Sequence, residues 1–334
     1  MVITKTPFRV SLFGGGTDYP QWYAKNRGLV ISGSIDKYCY LNVRYLPPFF
    51  DYRYRIRYTQ QEYASQIDDI KHPSVRECIR YMGIREGLEI QHNADVPAMS
   101  GLGSSSAFTV GLLHSLYALQ GKITGKRQLA GQAVEVEQKW IKENVGSQDQ
   151  VAVAFGGFNM INFGPGDCFE IRPLTLRPEV LSAFEAHMVL CFTGFQRIAS
   201  DVAKDQVNNI PKRGSELKDM AAIADEAFNL LQASEVDFCE IGELLRVQWN
   251  LKKRLSNLIS NSDIDNIYET GMACGAYGGK LLGAGAGGFM LFIAPPEKRP
   301  LIREKLQHLV QIPFHFENQG STIIYYVPSE PFEN

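Results

Sequence analysis

One stretch limits what this chain can fold into more than any other: Pro97-Ala98-Met99-Ser100-Gly101-Leu102-Gly103-Ser104-Ser105-Ser106-Ala107. Leu88-Glu89-Ile90 ahead of it reads as a strand end. Phe108 to Leu119 behind it reads as a helix, with apolar residues at Phe108, Leu112 and Leu116. A loop therefore feeds directly into a helix. Gly101 and Gly103 let the backbone adopt dihedrals closed to other residues and approach a ligand closely. Ser104 to Ser106 place hydroxyls where the first helical N–H groups lack partners and the dipole favours an anion. A plain serine cap after a glycine turn is the competing reading, so the rest of the chain must arbitrate.

Much is excluded at once. The serine loop has no Lys-Ser or Lys-Thr after its glycines and so is not a Walker A loop. A second loop, Gly283-Ala284-Gly285-Ala286-Gly287-Gly288, has the letters of a dinucleotide fingerprint, but it leads into the apolar run Phe289 to Ala294, which reads as a strand rather than a helix. The His-Arg-Asp and Asp-Phe-Gly elements of protein kinases are missing. A net charge of -2 gives no general nucleic-acid signal. No apolar run is long enough for a membrane span. Met1 to Pro7 lacks the basic and apolar segments of a signal peptide, so a cytoplasmic location is expected. The 6 cysteines and 6 histidines are scattered without metal-ligand spacing, which predicts reduced thiols and no structural zinc.

Along the chain, Phe8, Val10 and Leu12 alternate with Arg9, Ser11 and Phe13 as in a half-buried strand, and the run ends in Gly14-Gly15-Gly16. Three glycines in a row mark either a flexible turn or a backbone that meets a ligand, with Arg9 and Asp18 on either side. Strands are expected over 29–35, 38–45 and 54–58, and a helix over 74–82. Lys126 to Lys142 has helical spacing at Leu129, Ala133, Val136 and Trp140, with Glu137 beside that stripe, where a solvated acid is the ordinary expectation. Asp149 follows a helix break. After a buried-looking strand at 188–194 come helices over 198–208, 215–233, 240–258 and 264–274, then the second glycine loop between two strands. A helix over 296–310 and a strand over 321–327 finish the chain. Two domains are expected, 1–187 and 188–334, of α+β class.

Three segments in this order resemble the GHMP family of small-molecule kinases: Arg9 to Tyr19, the Pro-x-x-x-Gly-Leu-Gly-Ser-Ser signature from Pro97 to Ser105, and Gly283 to Gly288. The resemblance implies a two-domain GHMP kinase fold, the N-terminal domain like domain 2 of ribosomal protein S5 and the C-terminal one ferredoxin-like, with ATP and substrate between them. It implies that Pro97, Gly101, Leu102, Gly103, Ser104, Ser105 and Ser106 cradle ATP, that Ser105 and Glu137 hold Mg2+, and that Asp149, 12 positions after Glu137, is the general base. The 283–288 loop, through Gly283, Gly285, Ala286 and Gly287, would close on the substrate. Within the family, Phe13 to Pro20, Ile35 to Tyr38, Gly146 to Gln150 and Thr193 to Arg197 are most similar to the heptose 7-phosphate kinases of bacterial surface-polysaccharide synthesis. Galactokinases carry Glu-His where this chain has Gly15-Gly16, which makes galactose an unsuitable substrate.

These implications make chemical sense. Phosphoryl transfer needs positioning, neutralisation of spreading negative charge and an acceptor for one proton. Asp149 would take or orient the anomeric proton, and Arg9 would offset transition-state charge beside it. Gly15, Gly16, Thr17 and Asp18 would meet sugar hydroxyls. A substrate already bearing a phosphate requires cations at the far end of its pocket, for which Arg197 and then Lys37 are chosen, with Lys204, Lys212 and Arg213 in reserve. The expected partner is a small sugar phosphate; the oligomeric state is left open. Competing expectations are a fucose-like or N-acetylhexosamine 1-kinase, a sugar sensor without turnover, and a decarboxylase on the same fold.

Overall fold

The computed structural model describes residues 1–166, 168–194 and 199–332. Its spine is a pair of long antiparallel strands, β1 (Val2–Phe13) and β2 (Gly28–Tyr45), paired from Val2 opposite Val43 to Phe13 opposite Ile31 with register shifts after Pro7 and after Ser11. The alternation in β1 predicts one wet face, yet Phe8, Val10, Leu12 and the intervening Arg9 and Ser11 are all buried. The reason is tertiary. The helix Ser104–Leu119 covers one side of the strand, and the helices Gly214–Leu231 and Phe238–Leu255 from the second half also pack on it.

The two strands expected over 29–35 and 38–45 are a single β2, which is long enough to pair with two partners. Its first part, from Gly28 to Gly33, pairs with β6 (Phe158–Gly164), and its last part, from Cys39 to Tyr45, pairs with β5 (Leu88–Ala94). With β3 (Tyr54–Arg57), β4 (Gln61–Ala64) and β7 (Cys168–Pro173), they form most of an 8-stranded sheet. Its remaining strand comes from the far end of the chain. The second sheet is antiparallel throughout, in the order β11 (Val310–Gln311), β8 (Met188–Phe192), β10 (Phe289–Ile293), β9 (Gly278–Leu281). The helices Phe238–Leu255 and Ser262–Ala273 pack on it.

The last strand, β12 (Thr322–Tyr326), leaves the second layer and pairs antiparallel with β1, Val2 opposite Tyr326. A cut into 1–187 and 188–334 therefore assigns β12 to the wrong sheet: β1 would otherwise present an unpaired edge, and the C-terminal strand closes it. The helix expected over 296–310 is shorter, a 3-10 turn Pro296–Lys298 followed by Arg299–Lys305. Serine-loop helix and sheet meet closely at Gly111, where a Cβ would come 2.8 Å from Thr6 Oγ1. Thr4 there donates to the carbonyl of Gly111 at 3.1 Å. Among the described residues no helix is long and apolar enough to cross a membrane, and the 6 cysteines are free thiols.

Candidate active site

Arg9 and Asp149 are 140 residues apart in the sequence and meet as a bidentate pair. Arg9 Nε donates to Asp149 Oδ1 at 2.8 Å and Nη2 donates to Oδ2 at 2.7 Å. The remaining Nη1 donates to the carbonyl of Gly101 at 2.6 Å, and the Arg9 backbone N–H reaches Leu102 O at 3.0 Å. The guanidinium thus locks the serine loop to the acid. Asp149 sits in the first turn of the helix Gln148–Phe155, where a carboxylate is favoured by the helix dipole. Its side chain keeps 26% exposure while Arg9 keeps 2%, so the carboxylate, not the cation, faces the cleft.

Gly101 and Gly103 have φ of +82° and +75°, as the loop's turn demands. A Cβ on Gly103 would lie 3.2 Å from Arg9 Cγ. On the other side the two glycine loops are packed backbone to backbone: a Cβ on Gly101 would meet Leu282 O at 2.4 Å, and one on Gly288 would meet Ser100 O at 2.4 Å. The N–H of Phe289 donates to Ser100 O at 3.1 Å. Ala286 and Gly287 are buried in this seam, with Ala286 N–H bonded to Ile259 O at 2.9 Å. Those two residues are covered, whereas Gly283 and Gly285 stay partly open.

Glu137 is fully buried, against the ordinary expectation for its sequence position. The helix Lys126–Glu135 passes there into a π turn, Val136–Trp140, closed by Ile141 N–H on Val136 O at 2.8 Å. The extra residue per turn brings Val136 and Glu137 both to the inside, a distortion frequent at functional sites. Glu137 Oε2 accepts from Ser106 Oγ at 3.0 Å and from Gln150 Nε2 at 2.5 Å. Oε1 is buried and makes no hydrogen bond of ordinary geometry, while the Thr109 hydroxyl also acts on the carboxylate. Burial, and then the charge of Glu143, push the carboxyl up to about 7. Ser105 is exposed and does not meet Glu137; the helical rotation between adjacent residues gives that contact to Ser106 instead.

This constellation has parallels. The description "GHMP kinases N terminal domain" matches residues 71–157 and "GHMP kinases C terminal" matches 230–311. The chain is 31% identical, over 95% of its own length and 97% of the other's, to the D-glycero-alpha-D-manno-heptose 7-phosphate kinase of Campylobacter jejuni. The chain belongs to the GHMP kinase family. It is also 27% identical to the bifunctional fucokinase/GDP-fucose pyrophosphorylase of Arabidopsis thaliana, over 90% of this chain and 30% of that protein. In architecture it is similar to a solved D-glycero-D-manno-heptose 1-phosphate kinase from Bacteriodes thetaiotaomicron, with TM-score 0.80, 24% identity and coverage of 98% of this chain and 100% of the other. The protein is accordingly a kinase with the two-domain GHMP fold, from a family that uses ATP as phosphate donor.

Other residues singled out in the sequence of this GHMP kinase have different settings. Thr17 is fully buried, its hydroxyl donating to Gly14 O at 2.9 Å and Leu29 O at 3.0 Å. Asp18 is 2% exposed and accepts from Gly16 N–H at 2.8 Å and Gln148 N–H at 3.4 Å. Thr17 thereby ties the glycine turn to the start of β2, and Asp18 braces it against the 146–148 segment. Burial pushes the Asp18 carboxyl above its ordinary range. Lys37 is bonded to Asp36 at 2.9 Å, on the part of β2 opposite Pro7 rather than Arg9. Arg197 lies outside the described residues.

Sequence reasoning missed two lysines. Lys252, in the basic end of the helix Phe238–Leu255, is 5% exposed, and its ammonium reaches Gly15 O at 3.4 Å. Burial lowers it to about 8, although Asp18 and Asp149 pull the other way. Lys280, on β9, is 4% exposed and donates to Ser11 O at 2.8 Å and Leu12 O at 3.1 Å, tying the second half to the end of β1. Periodicity carries no signal for either, because Lys252-Lys253-Arg254 reads as a solvated helix end.

Proposed function

We propose that this kinase transfers the γ-phosphoryl group of ATP to the anomeric hydroxyl of D-glycero-D-manno-heptose 7-phosphate, giving the 1,7-bisphosphate for activated-heptose synthesis in the cytoplasm. The observation that carries the reading is the bidentate Arg9–Asp149 pair set against the 101–103 turn. In that role Asp149 orients the attacking hydroxyl and accepts its proton, which is more acidic than that of an ordinary alcohol. Arg9, held by three side-chain bonds, offsets charge spreading over the transferring group without having to reorganise. The loop of Pro97, Gly101, Leu102, Gly103 and Ser104 to Ser106 receives the nucleotide phosphates at the start of the helix Ser104–Leu119.

A divalent cation fits the Glu137 pocket. An orphaned, fully buried carboxylate oxygen beside serine hydroxyls is the oxygen donor set that Mg2+ accepts. Glu137 with Ser106 or Ser105 would hold it, and it would supply neutralisation of phosphate charge. The named C. jejuni relative supports the heptose phosphate. A second reading, an unphosphorylated fucose-like sugar, draws on the Arabidopsis relative and on the pairing of Lys37 with Asp36.

The deciding experiment measures ATP consumption with Mg2+ against heptose 7-phosphate, mannose, fucose and N-acetylhexosamines, with phosphorus NMR of the product. A new anomeric phosphate on heptose 7-phosphate alone is the expected result. Turnover of an unphosphorylated sugar in preference overturns the heptose reading and keeps the reaction class.

A further inference from the structure

The end of β1 and the glycine turn that follows it are held from both halves of the chain. From the second half, Lys280 Nζ donates to Ser11 O at 2.8 Å and Leu12 O at 3.1 Å, and Lys252 Nζ reaches Gly15 O at 3.4 Å. Two ammonium groups on different elements, β9 and the helix Phe238–Leu255, thus share the carbonyls of one short stretch of backbone. The packing beside them is close. A Cβ on Gly16, which takes φ +118°, would stand 3.2 Å from Leu255 Cδ1, 3.6 Å from Leu217 Cδ2 and 3.9 Å from Lys252 Nζ. The turn therefore lies flush on the second half, and a displacement of the Lys252 helix is felt by the turn.

From the first half, the same turn is tied to the helix that carries Asp149. Gly16 N–H donates to Asp18 Oδ1 at 2.8 Å, Gln148 N–H donates to Asp18 Oδ2 at 3.4 Å, and Ser147 N–H donates to Asp18 O at 2.9 Å. Ser11 Oγ donates to Gln148 Oε1 at 2.6 Å, and a Cβ on Gly15 would stand 3.5 Å from Gln148 Nε2. Gln148 immediately precedes Asp149. One turn of backbone thus joins the Lys252 ammonium to the Arg9–Asp149 pair. Lys280 makes two bonds to that backbone and Lys252 a single long one, which leaves Lys252, with three N–H groups, as the adjustable member.

We propose that Lys252 is a positioning residue for phosphoryl transfer, its ammonium acting through Gly15 and Gln148 to set Asp149 and so linking the placement of the second half to the reacting pair. It touches no reacting atom. The inference rests on the reading of Asp149 as the proton acceptor and is independent of which sugar is used. An aliphatic side chain would fill the same space, and burial opposes an ammonium there, so the charge needs a use. That use is a charge-assisted bond to Gly15 O, with attraction to Asp18 and Asp149 and repulsion from Arg9 and Lys280. Loss of the proton removes bond and attraction together. Burial brings that loss down to about 8.

The test is a double-mutant cycle of Lys252→Met and Gln148→Ala, with Lys252→Arg, Asp149→Asn and thermal melting alongside, using ATP and the sugar of the panel above that the wild-type enzyme phosphorylates fastest. Lys252→Met should lower kcat by about 2- to 30-fold while KM for sugar and ATP stays within about twofold. It should also abolish the alkaline fall in kcat/KM near 8 without lowering the melting temperature. Lys252→Arg should restore part of kcat and carry activity to higher pH. Because both residues act through one turn, the double variant should fall no more than about twofold below the slower single variant. Effects that multiply independently overturn the coupling. A raised sugar KM with kcat unchanged makes Lys252 a ligand-binding group, and early melting with kcat and pH profile unchanged makes it structural; either result overturns the positioning role. If Asp149→Asn keeps its activity, the reading of the site fails and this inference with it. If Asp149→Asn is inactive while Lys252→Met behaves as wild type, this inference alone fails.

Discussion

Arg9 and Lys252 are both buried cations, near enough for each to feel the other's charge, and they are set in opposite ways. Arg9 comes from β1, within the first sheet, and each of its three guanidinium nitrogens donates to Asp149 or to Gly101 O. Lys252 arrives from a helix of the second half and has one long contact. The first centre is finished before any ligand binds. The second is left incomplete, and an incomplete buried charge costs stability that only a bound partner recovers. Glu137 leans to the second pattern: Ser106 and Gln150 hold one oxygen, Thr109 also acts on the carboxylate, and Oε1 makes no hydrogen bond of ordinary geometry. The contrast is between a finished ion pair and buried polar groups with bonding capacity to spare.

The largest effect should come from the finished pair. Asp149→Asn is expected to lower kcat by about 10²–10⁴-fold while ATP affinity measured by calorimetry is retained. Substantial turnover would remove Asp149 from the proton-accepting role and would end the contrast at its strong side. Glu137→Gln should come next. It keeps the bonds from Ser106 and Gln150 within reach and removes only the charge, so the protein should fold while the Mg2+ concentration needed for half-maximal rate rises by about 10- to 100-fold. An unchanged Mg2+ requirement would show that the orphaned oxygen waits for something else.

Lys252 gives a pH dependence that separates the two centres. Its ammonium, faced by Arg9, Asp18 and Asp149, titrates near 8, so kcat/KM for the sugar should fall as pH rises through about 8. Stability should run the other way. Between about 8 and the ordinary lysine value of 10.5 the unfolded chain binds the proton and the folded one does not, so resistance to urea should increase across that window and flatten in Lys252→Met. A profile that declines identically in Lys252→Arg would assign the alkaline limb elsewhere. The smallest effect belongs to Lys37→Ala. Its pairing with Asp36 should make it worth no more than about 1 kcal/mol in stability, with KM for the sugar within about twofold. A large rise in KM would restore Lys37 to the phosphate site.

The backbone scaffold of the site was legible because its signals are local. Glycines at 101 and 103 report positive φ, and the apolar spacing from Phe108 to Leu116 reports a helix. The identities of contacting side chains were less legible. Ser105 and Ser106 are neighbours in a serine run, and nothing in the letters says which of them the helix turns toward Glu137. Asp18 has the look of a ligand for hydroxyls, but Gly16 N–H takes Oδ1 and the 146–148 segment, through Gln148 N–H, closes on Oδ2.

The sequence alone determined several of the longer strands and helices, the three glycine-rich segments and the family to which they belong, since periodicity and backbone permissiveness act over a few residues. Tertiary structure alone decided that β12 returns to close the edge of β1, that Glu137 is buried on a π turn, that Asp18 faces inward, and that a lysine from one half ends beneath the glycine turn of the other. Each of these depends on partners more than 100 residues away or on an irregular turn that no local pattern specifies, and burial of a polar group is set by what packs against it rather than by its neighbours in the chain.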